Sequence, residues 1–165
     1  MDITIESMTR ADWKSVEAIY MEGIATGQAT FEVEAPTWEQ WDANHLSSCR
    51  FVARRHGQIA GWAALSPVSR RSCYAGVAEV SIYVTAGARN QGVGRILLHT
   101  LIQESERHGI WTLQGTTFPE NSASLHLQSS CGFRVVGKRE RIARQNGVWR
   151  DTLVSDRRSP TIGLD

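Results

Sequence analysis

The residues best suited to chemistry in this sequence form a short glycine loop, Arg89-Asn90-Gln91-Gly92-Val93-Gly94. The segment before it, Val77–Val84, is rich in β-branched and aromatic residues and predicts a strand. The segment after it has apolar residues at helical spacing. A loop that opens a helix presents unpaired amides and the positive end of the helix dipole, and glycines let a ligand approach closely. The pattern predicts an anion site, although a plain strand-to-helix turn uses the same glycines.

Two common nucleotide-binding motifs are absent. There is no GxxxxGK[ST], which argues against a P-loop nucleotidase, and no GxGxxG after a first strand, which argues against dinucleotide binding. The loop does match [RQ]xxGx[GA], and Asn121-Ser122-Ala123-Ser124-Leu125 later leads to Cys131-Gly132-Phe133. These two motifs resemble the pyrophosphate loop and the Asn-initiated helix of the GNAT N-acetyltransferases, which bind acetyl-CoA.

The resemblance extends to one branch of this family and covers about residues 3–155. The matching residues are Thr30-Phe31-Glu32, Arg71, Tyr74, Glu79, Ser81-Ile82-Tyr83-Val84 and Trp149-Arg150-Asp151. They are similar to the phosphinothricin, methionine sulfoximine and arsinothricin N-acetyltransferases. The resemblance implies acetylation of the α-amine of a small glutamate-like amino acid with a tetrahedral polar group, hence resistance by detoxification. It also implies a homodimer.

Acetyl transfer needs a neutral amine, and an α-ammonium group has a pKa of roughly 8 or above. The resemblance implies that Glu79 is the base that removes this proton, directly or through a water. Its place in the middle of a strand also fits a carboxylate that faces solvent or pairs with an arginine.

The resemblance implies acetyl-CoA as the cosubstrate and no metal. The strand should pair with the pantetheine arm and polarise the thioester carbonyl as an oxyanion hole does, and the loop amides should hold the pyrophosphate. The expected cosubstrate-binding residues are Ile82, Tyr83, Val84, Arg89, Asn90, Gln91, Gly92, Val93, Gly94, Arg95, Asn121 and Ser124. Asn121 also fits a plain helix N-cap.

Arg71 is the best candidate anchor for the acceptor, because a guanidinium matches a carboxylate or phosphinate with two parallel hydrogen bonds. The expected substrate-binding residues are Phe31, Arg70, Arg71, Ser72 and Tyr74. The alternative is that the two arginines are a solvated loop pair. A dimer would bring the partner subunit's Trp149 near the pocket.

The residue at the position of the family's general acid departs from the family pattern. Many relatives have Tyr or His five residues before the Phe of the Gly-Phe pair, and this position is Gln128, which supplies no proton. His126 should point about 200° away from that position on a helix. Water or Tyr83 would then protonate the thiolate, or the thiolate would leave unaided.

Composition excludes several classes. A chain of 165 residues predicts one domain, and a net charge of +1 favours neither nucleic acid nor an anionic membrane as partner. No apolar run is long enough to span a bilayer, and the N-terminus has no secretory apolar region. Cys49, Cys73 and Cys131 lack metal-ligand spacing and indicate free thiols in a reducing cytoplasm.

The hydrophobic pattern predicts an α+β domain in the order β-α-α-β-β-β-α-β-α-β-β, with a mixed central β-sheet flanked by helices as the resemblance implies. The domain should span residues 1–157 and a polar C-terminal tail residues 158–165. The predicted strands are Ile3–Met8, Phe51–Arg55, Ile59–Leu65, Val77–Val84, Ile110–Thr117, Phe133–Arg144 and Val148–Val154. Capping boxes at Thr9 and Thr37 predict the first two helices, and Asn121 opens the last.

Two other functions remain open at this stage. A protein or peptide N-terminal acetyltransferase would need an open groove for an extended backbone, whereas the arginines and aromatics suggest a closed polar pocket. A non-catalytic acetyl-CoA sensor would explain Gln128, but not Glu79.

Overall fold

A computed structural model describes residues 2–165. The strands are β1 (Ile3–Ser7), β2 (Phe51–Arg55), β3 (Gln58–Pro67), β4 (Val77–Val84), β5 (Thr112–Thr117), β6 (Arg134–Gln145) and β7 (Val148–Arg158). The helices are α1 (Trp13–Ala25), α2 (Trp38–Asn44), α3 (Val93–Arg107) and α4 (Ser122–Ser130). The predicted element order and the mixed, helix-flanked sheet are confirmed.

All seven strands form one sheet in the order β1-β2-β3-β4-β5-β7-β6, and only β4 and β5 run parallel. β4 pairs with β3 along its whole length, from Pro67↔Ala78 to Gly61↔Val84. It pairs with β5 only from Val77 to Glu79. The two strands therefore separate after Glu79 and leave one side of β4 without a strand partner.

The sheet has an apolar layer on each face. Leu97, Leu98 and Leu101 of α3 pack on one face against alanines and leucines of the central strands. Val16 of α1 and Trp41 of α2 pack on the other. Because side chains alternate along β4, Val80 and Ile82 belong to the α3 layer, whereas Tyr83 packs in the α1 layer.

Local signals explain the helix starts. Thr37 and Gln40 form the predicted capping box, with the Gln40 amide donating to Thr37 Oγ1 at 3.2 Å and the Thr37 amide to Gln40 Oε1 at 3.0 Å. The predicted box of Thr9 and Asp12 is also present, on a short 3₁₀ turn before α1. No helix within residues 2–165 has the length and hydropathy of a membrane span.

The C-terminal strand is longer than predicted. β7 continues to Arg158, past the predicted end at Val154. Gly115–Thr117 of β5 pairs with Leu153–Ser155, and the ladder continues to Thr112↔Arg158. The following Ser159 is buried and its hydroxyl donates to Glu106 Oε1 at 3.0 Å.

Candidate active site

A cleft of about 840 Å³ opens where β4 and β5 separate. It runs from Glu79, at the end where the two strands still pair, to the glycine loop at the start of α3. β5 and α4 form one wall, and residues 26–32 cover part of it. Because β4 lacks a strand partner here, its backbone groups are available to a ligand that lies along it.

The glycine loop forms the far end of the cleft. Gly92 is the N-cap of α3 and adopts φ +83°, a left-handed conformation that glycine tolerates without strain. A Cβ at Gly92 would meet no protein atom within 4 Å, so its open side faces space that a ligand can fill. The arrangement combines unpaired amides, the helix dipole and two arginines, as an anion site requires.

Most predicted cosubstrate-binding residues line this cleft. They are Ile82, Tyr83, Val84, Arg89, Asn90, Gly92, Val93, Gly94, Arg95, Asn121 and Ser124. The side chain of Gln91 instead braces the loop from outside, because its Nε2 donates to Gly87 O at 3.1 Å and its Oε1 accepts from Arg55. Only the backbone of Gln91 is left for the proposed pyrophosphate contact.

Asn121 performs the N-cap role at α4. Its Oδ1 accepts from the Ser124 amide at 3.2 Å, and its Nδ2 donates to Gln28 O at 3.1 Å. The side chain therefore fixes both the start of α4 and the segment that covers the cleft. It also lines the cleft, so a contact to the pantetheine arm is compatible with this capping role.

Glu79 is a half-buried carboxylate at the near end of the cleft. Burial is the largest influence on its pKa and raises it above the usual value for glutamate. The polar side chains of Thr116 and Gln114 and the positive charge of Arg139 oppose this rise. A carboxylate with a raised pKa is a better proton acceptor near neutral pH than a solvated one.

Tyr83 lies on the same side of the sheet as Glu79, in a stack of aromatic rings. Its ring centroid is 4.9 Å from that of Tyr20 and 4.8 Å from that of Trp62. Gly23 makes this stack possible, because a Cβ there would be 2.6 Å from the Tyr83 ring. Burial raises the Tyr83 pKa well above that of free tyrosine, so proton transfer from it to a thiolate is uphill.

Gln128 is the centre of a buried hydrogen-bond network. Its Nε2 donates to Thr117 Oγ1 at 2.8 Å and to Ser124 Oγ at 3.2 Å, and its Oε1 accepts from the Ser155 hydroxyl. The residue is satisfied structurally and holds α4 against β5 and β7. His126 lines the cleft, contrary to the expectation that its helix position turns it away.

Residues 26–32 are fastened over the cleft by side chains distant in sequence. Gln145 Nε2 donates to Thr30 O at 2.8 Å. Arg150 donates to Gly27 O at 2.9 Å and to Gln28 Oε1 at 2.7 Å. Neither Gln145 nor Arg150 was predicted to contribute to the site. The Trp149-Arg150-Asp151 resemblance was the only signal that could have found Arg150.

Phe31 reaches the cleft as expected. Its ring lies edge-on to that of Phe118, with centroids 4.8 Å apart. The Arg150 guanidinium lies 3.8 Å from the centroid of Phe118. The Phe31 and Phe118 rings therefore form an aromatic part of the cleft wall, and the Arg150 guanidinium packs against Phe118.

The other four predicted substrate residues, Arg70, Arg71, Ser72 and Tyr74, do not line the cleft. They lie on the exposed loop that leads into β4, near the end of the strand that carries Glu79. The Arg71 guanidinium lies 5.9 Å from the centroid of the Tyr74 ring. Within one chain, this loop is next to the acceptor end of the sheet but outside the cleft.

The chain is similar to known acetyltransferases in sequence. Residues 13–133 match the family model described as Acetyltransferase (GNAT) family. The phosphinothricin N-acetyltransferase of Alcaligenes faecalis is 32% identical over 165 residues, which covers 93% of this chain and 81% of that protein. An L-methionine sulfoximine/L-methionine sulfone acetyltransferase of Pseudomonas aeruginosa is 24% identical over 158 residues, which covers 92% and 91% respectively.

A solved structure shows the same fold. The GNAT superfamily phosphinothricin acetyltransferase from Sinorhizobium meliloti, crystallised in complex with AcCoA, superposes with a TM-score of 0.86. It is 24% identical in sequence, and the match covers 100% of this chain and 97% of that one.

Proposed function

The chain belongs to the GNAT family of acetyl-CoA-dependent N-acetyltransferases, and we propose that it acetylates the α-amine of a small amino acid with a tetrahedral polar side-chain group. Phosphinothricin, methionine sulfoximine and arsinothricin are the candidate acceptors, and acetylation would detoxify them. The observation that carries the proposal is the half-buried Glu79 carboxylate at the end of the cleft where β4 and β5 still pair. We further propose that the protein acts in the cytoplasm as a homodimer.

In this proposal each part of the cleft has one task. Acetyl-CoA supplies an activated acetyl group. The amides at the start of α3, with Arg89 and Arg95, hold its pyrophosphate. The unpaired side of β4 binds the pantetheine arm and polarises the thioester carbonyl. Glu79 takes the proton from the α-ammonium group, directly or through a water, and so makes the nitrogen nucleophilic.

The closed acceptor end favours a small acceptor over a peptide. Asn121, Gln145 and Arg150 each fasten residues 26–32 to the cleft wall through a hydrogen bond. An extended peptide backbone would need this segment to move away. A free amino acid would not require this displacement.

The proposal is tested by acetyl-CoA-dependent thiol release with a panel of amines: phosphinothricin, methionine sulfoximine, arsinothricin, glutamate and a short peptide. We expect release with the tetrahedral analogues and much slower release with glutamate. Release with the peptide alone would contradict the proposal and favour an N-terminal acetyltransferase. No release with any amine, with acetyl-CoA still bound, would favour a sensor.

Thr116→Val should shift the pH dependence of the reaction. The Thr116 side chain lowers the pKa of Glu79, so removing its hydroxyl should raise the carboxyl pKa further. Because the base must be ionised, the acid limb of kcat/KM should move to higher pH. The measurement is kcat/KM for methionine sulfone across pH, with Thr112→Val on the same strand as the control. An unchanged acid limb would show that Thr116 does not influence the pKa of the base.

Arg71→Ala tests the proposed anchor on the loop before β4. If Arg71 holds the acceptor, steady-state kinetics should show KM for phosphinothricin rising about 10-fold or more, with little change in KM for acetyl-CoA. Lys14→Ala, at an exposed position on α1, is the control. Equal effects of Arg71→Ala on both substrates would exclude the anchor role and leave the loop as a solvated surface.

A further inference from the structure

Thr152 has an unusual environment on the wall of the cleft. The residue is 3% exposed and its Oγ1 has no hydrogen-bond partner among residues 2–165. An unpartnered buried hydroxyl lowers stability, because it has lost its hydrogen bonds to water and gained none in the protein. Because Thr152 lines the cleft, a polar group of a bound ligand can supply the hydrogen bond that its hydroxyl lacks.

The sheet register puts Thr152 on the same face as the proposed base. Glu79 is level with Gln114, and Thr116 follows on the same side of β5. Thr116 pairs with Val154 of β7, so Thr152 and Val154 also face this side. The acceptor side of the cleft therefore has a carboxylate on β4 and hydroxyls on β5 and β7.

Arg139 is the cross-strand partner of Thr152 and shares its face. Arg139 is exposed and lies beside Thr152 of the cleft wall, and its positive charge lowers the pKa of Glu79. Arg139 makes no ion pair or side-chain hydrogen bond within residues 2–165. A register shift between Arg139 and Ala143 interrupts the ladder immediately after it. Strand irregularities of this kind commonly redirect side chains beside active sites.

The other arginines at the cleft either already donate hydrogen bonds to protein groups or lie far from Glu79. Arg150 donates to Gly27 O, to the side chains of Gln145 and Gln28, and to Glu120. Arg89 and Arg95 lie at the far end, at the glycine loop. Arg70 and Arg71 lie on the loop before β4, outside the cleft. Among the arginines of the β-strands, Arg139 is therefore the one on the Glu79 face whose guanidinium has no hydrogen bond or ion pair within residues 2–165 and is free to meet an anionic ligand.

We propose that Arg139 and Thr152 form the subsite that binds the α-carboxylate of the acceptor amino acid. The inference rests on the proposed function and specifies its substrate as a free α-amino acid. The carboxylate and amine of such a substrate are attached to one carbon. Arg139, paired with Thr152 on the face of the sheet that carries Glu79, is thus in place to hold the carboxylate while Glu79 takes the proton from the amine. The Thr152 hydroxyl donates to the same carboxylate and gains the partner that it lacks.

Arg139→Gln is the first test, with methionine sulfone as acceptor and Arg144→Gln as the matched control. Arg144 is exposed on the same strand, but it pairs with Trp149 and faces the other side. We expect Arg139→Gln to raise KM for methionine sulfone about 10–100-fold and to leave KM for acetyl-CoA unchanged. The α-carboxamide of methionine sulfone should be insensitive to the substitution.

Three results would overturn the assignment: an effect no larger than that of Arg144→Gln, an equal loss for the carboxamide, or a loss with phosphinothricin but not with methionine sulfone. The last would mean that Arg139 binds the side-chain oxoanion.

Thr152→Val separates binding from folding. Valine keeps the shape and removes a hydroxyl with no protein partner, so Tm should be unchanged or higher while KM for methionine sulfone rises about 5–10-fold. Ser155→Ala on the same strand should lower Tm, because that hydroxyl donates to Gln128. An unchanged KM for Thr152→Val would remove Thr152 from the subsite.

Calorimetry of methionine sulfone binding to CoA-saturated protein distinguishes failure of the proposed function from failure of the Arg139–Thr152 subsite. Absence of binding and of turnover in the wild type would overturn the proposed function and the subsite together. Wild-type binding that Arg139→Gln leaves intact would overturn the subsite alone.

Discussion

Glu79→Gln is expected to lower kcat by about 10²–10⁴-fold, the range that a positioned general base contributes. Glutamine keeps the size and the hydrogen-bonding capacity of the side chain but accepts no proton from an ammonium group. The affinity for acetyl-CoA should be unchanged, because the glycine loop and the outer part of β4 are left intact. The measurements are kcat by thiol release and the Kd of acetyl-CoA by calorimetry, with Glu140→Gln on the exposed face of β6 as the control.

The same substitution should not destabilise the fold. Burial raises the pKa of Glu79, so the folded state favours the protonated form. Its contribution to stability is present below the unfolded pKa and is lost as pH rises through the folded pKa. Glutamine resembles the protonated form at every pH, so Tm of the variant at pH 7 should equal or exceed that of the wild type. If Glu79→Gln instead reacted at the wild-type rate near neutral pH, Glu79 would not be the base.

Replacing both arginines of the loop by glutamate, Arg89→Glu with Arg95→Glu, should raise KM for acetyl-CoA about 100-fold at low ionic strength. The two guanidinium groups are exposed beside the amides at the start of α3, where a pyrophosphate would lie. A glutamate at position 95 lies in the first helical turn, where a negative charge favours the helix. Folding should therefore be maintained, and kcat at saturating acetyl-CoA should change little.

Salt and a matched variant make this experiment specific. The effect should shrink as ionic strength rises, because exposed charges are screened. Lys14→Glu, on α1 and away from the loop, gives the control for charge reversal at an exposed site. A double variant with unchanged KM for acetyl-CoA would show that the cosubstrate phosphates bind elsewhere.

The features predicted well from sequence are those fixed by local signals. β4 begins and ends at the predicted residues because its β-branched run stops at a small-residue break. The glycine loop and α3 follow from backbone requirements at Gly92, where φ is +83°. The start of α2 could be predicted from Thr37, because its capping box spans only four residues.

The acceptor end could not be predicted because distant segments meet there. Arg150 contacts Gly27 across 123 positions and Gln145 contacts Thr30 across 115, so no local pattern marks either pair. The register that sets Arg139 beside Thr152 depends on a ladder interrupted by irregularities. Arg71 was predicted to bind substrate by its motif, but its loop lies outside the cleft of its own chain.

The most direct test of the account is to identify the product of a reaction between wild-type protein, acetyl-CoA and methionine sulfone. Mass spectrometry with fragmentation would locate the acetyl group, and thiol release would be counted in the same sample. We predict one acetyl group on the α-nitrogen for each thiol released, and loss of both signals in Glu79→Gln. Thiol release without an acetylated amino acid, or acetylation that persists in Glu79→Gln, would contradict base-assisted transfer in the β4–β5 cleft.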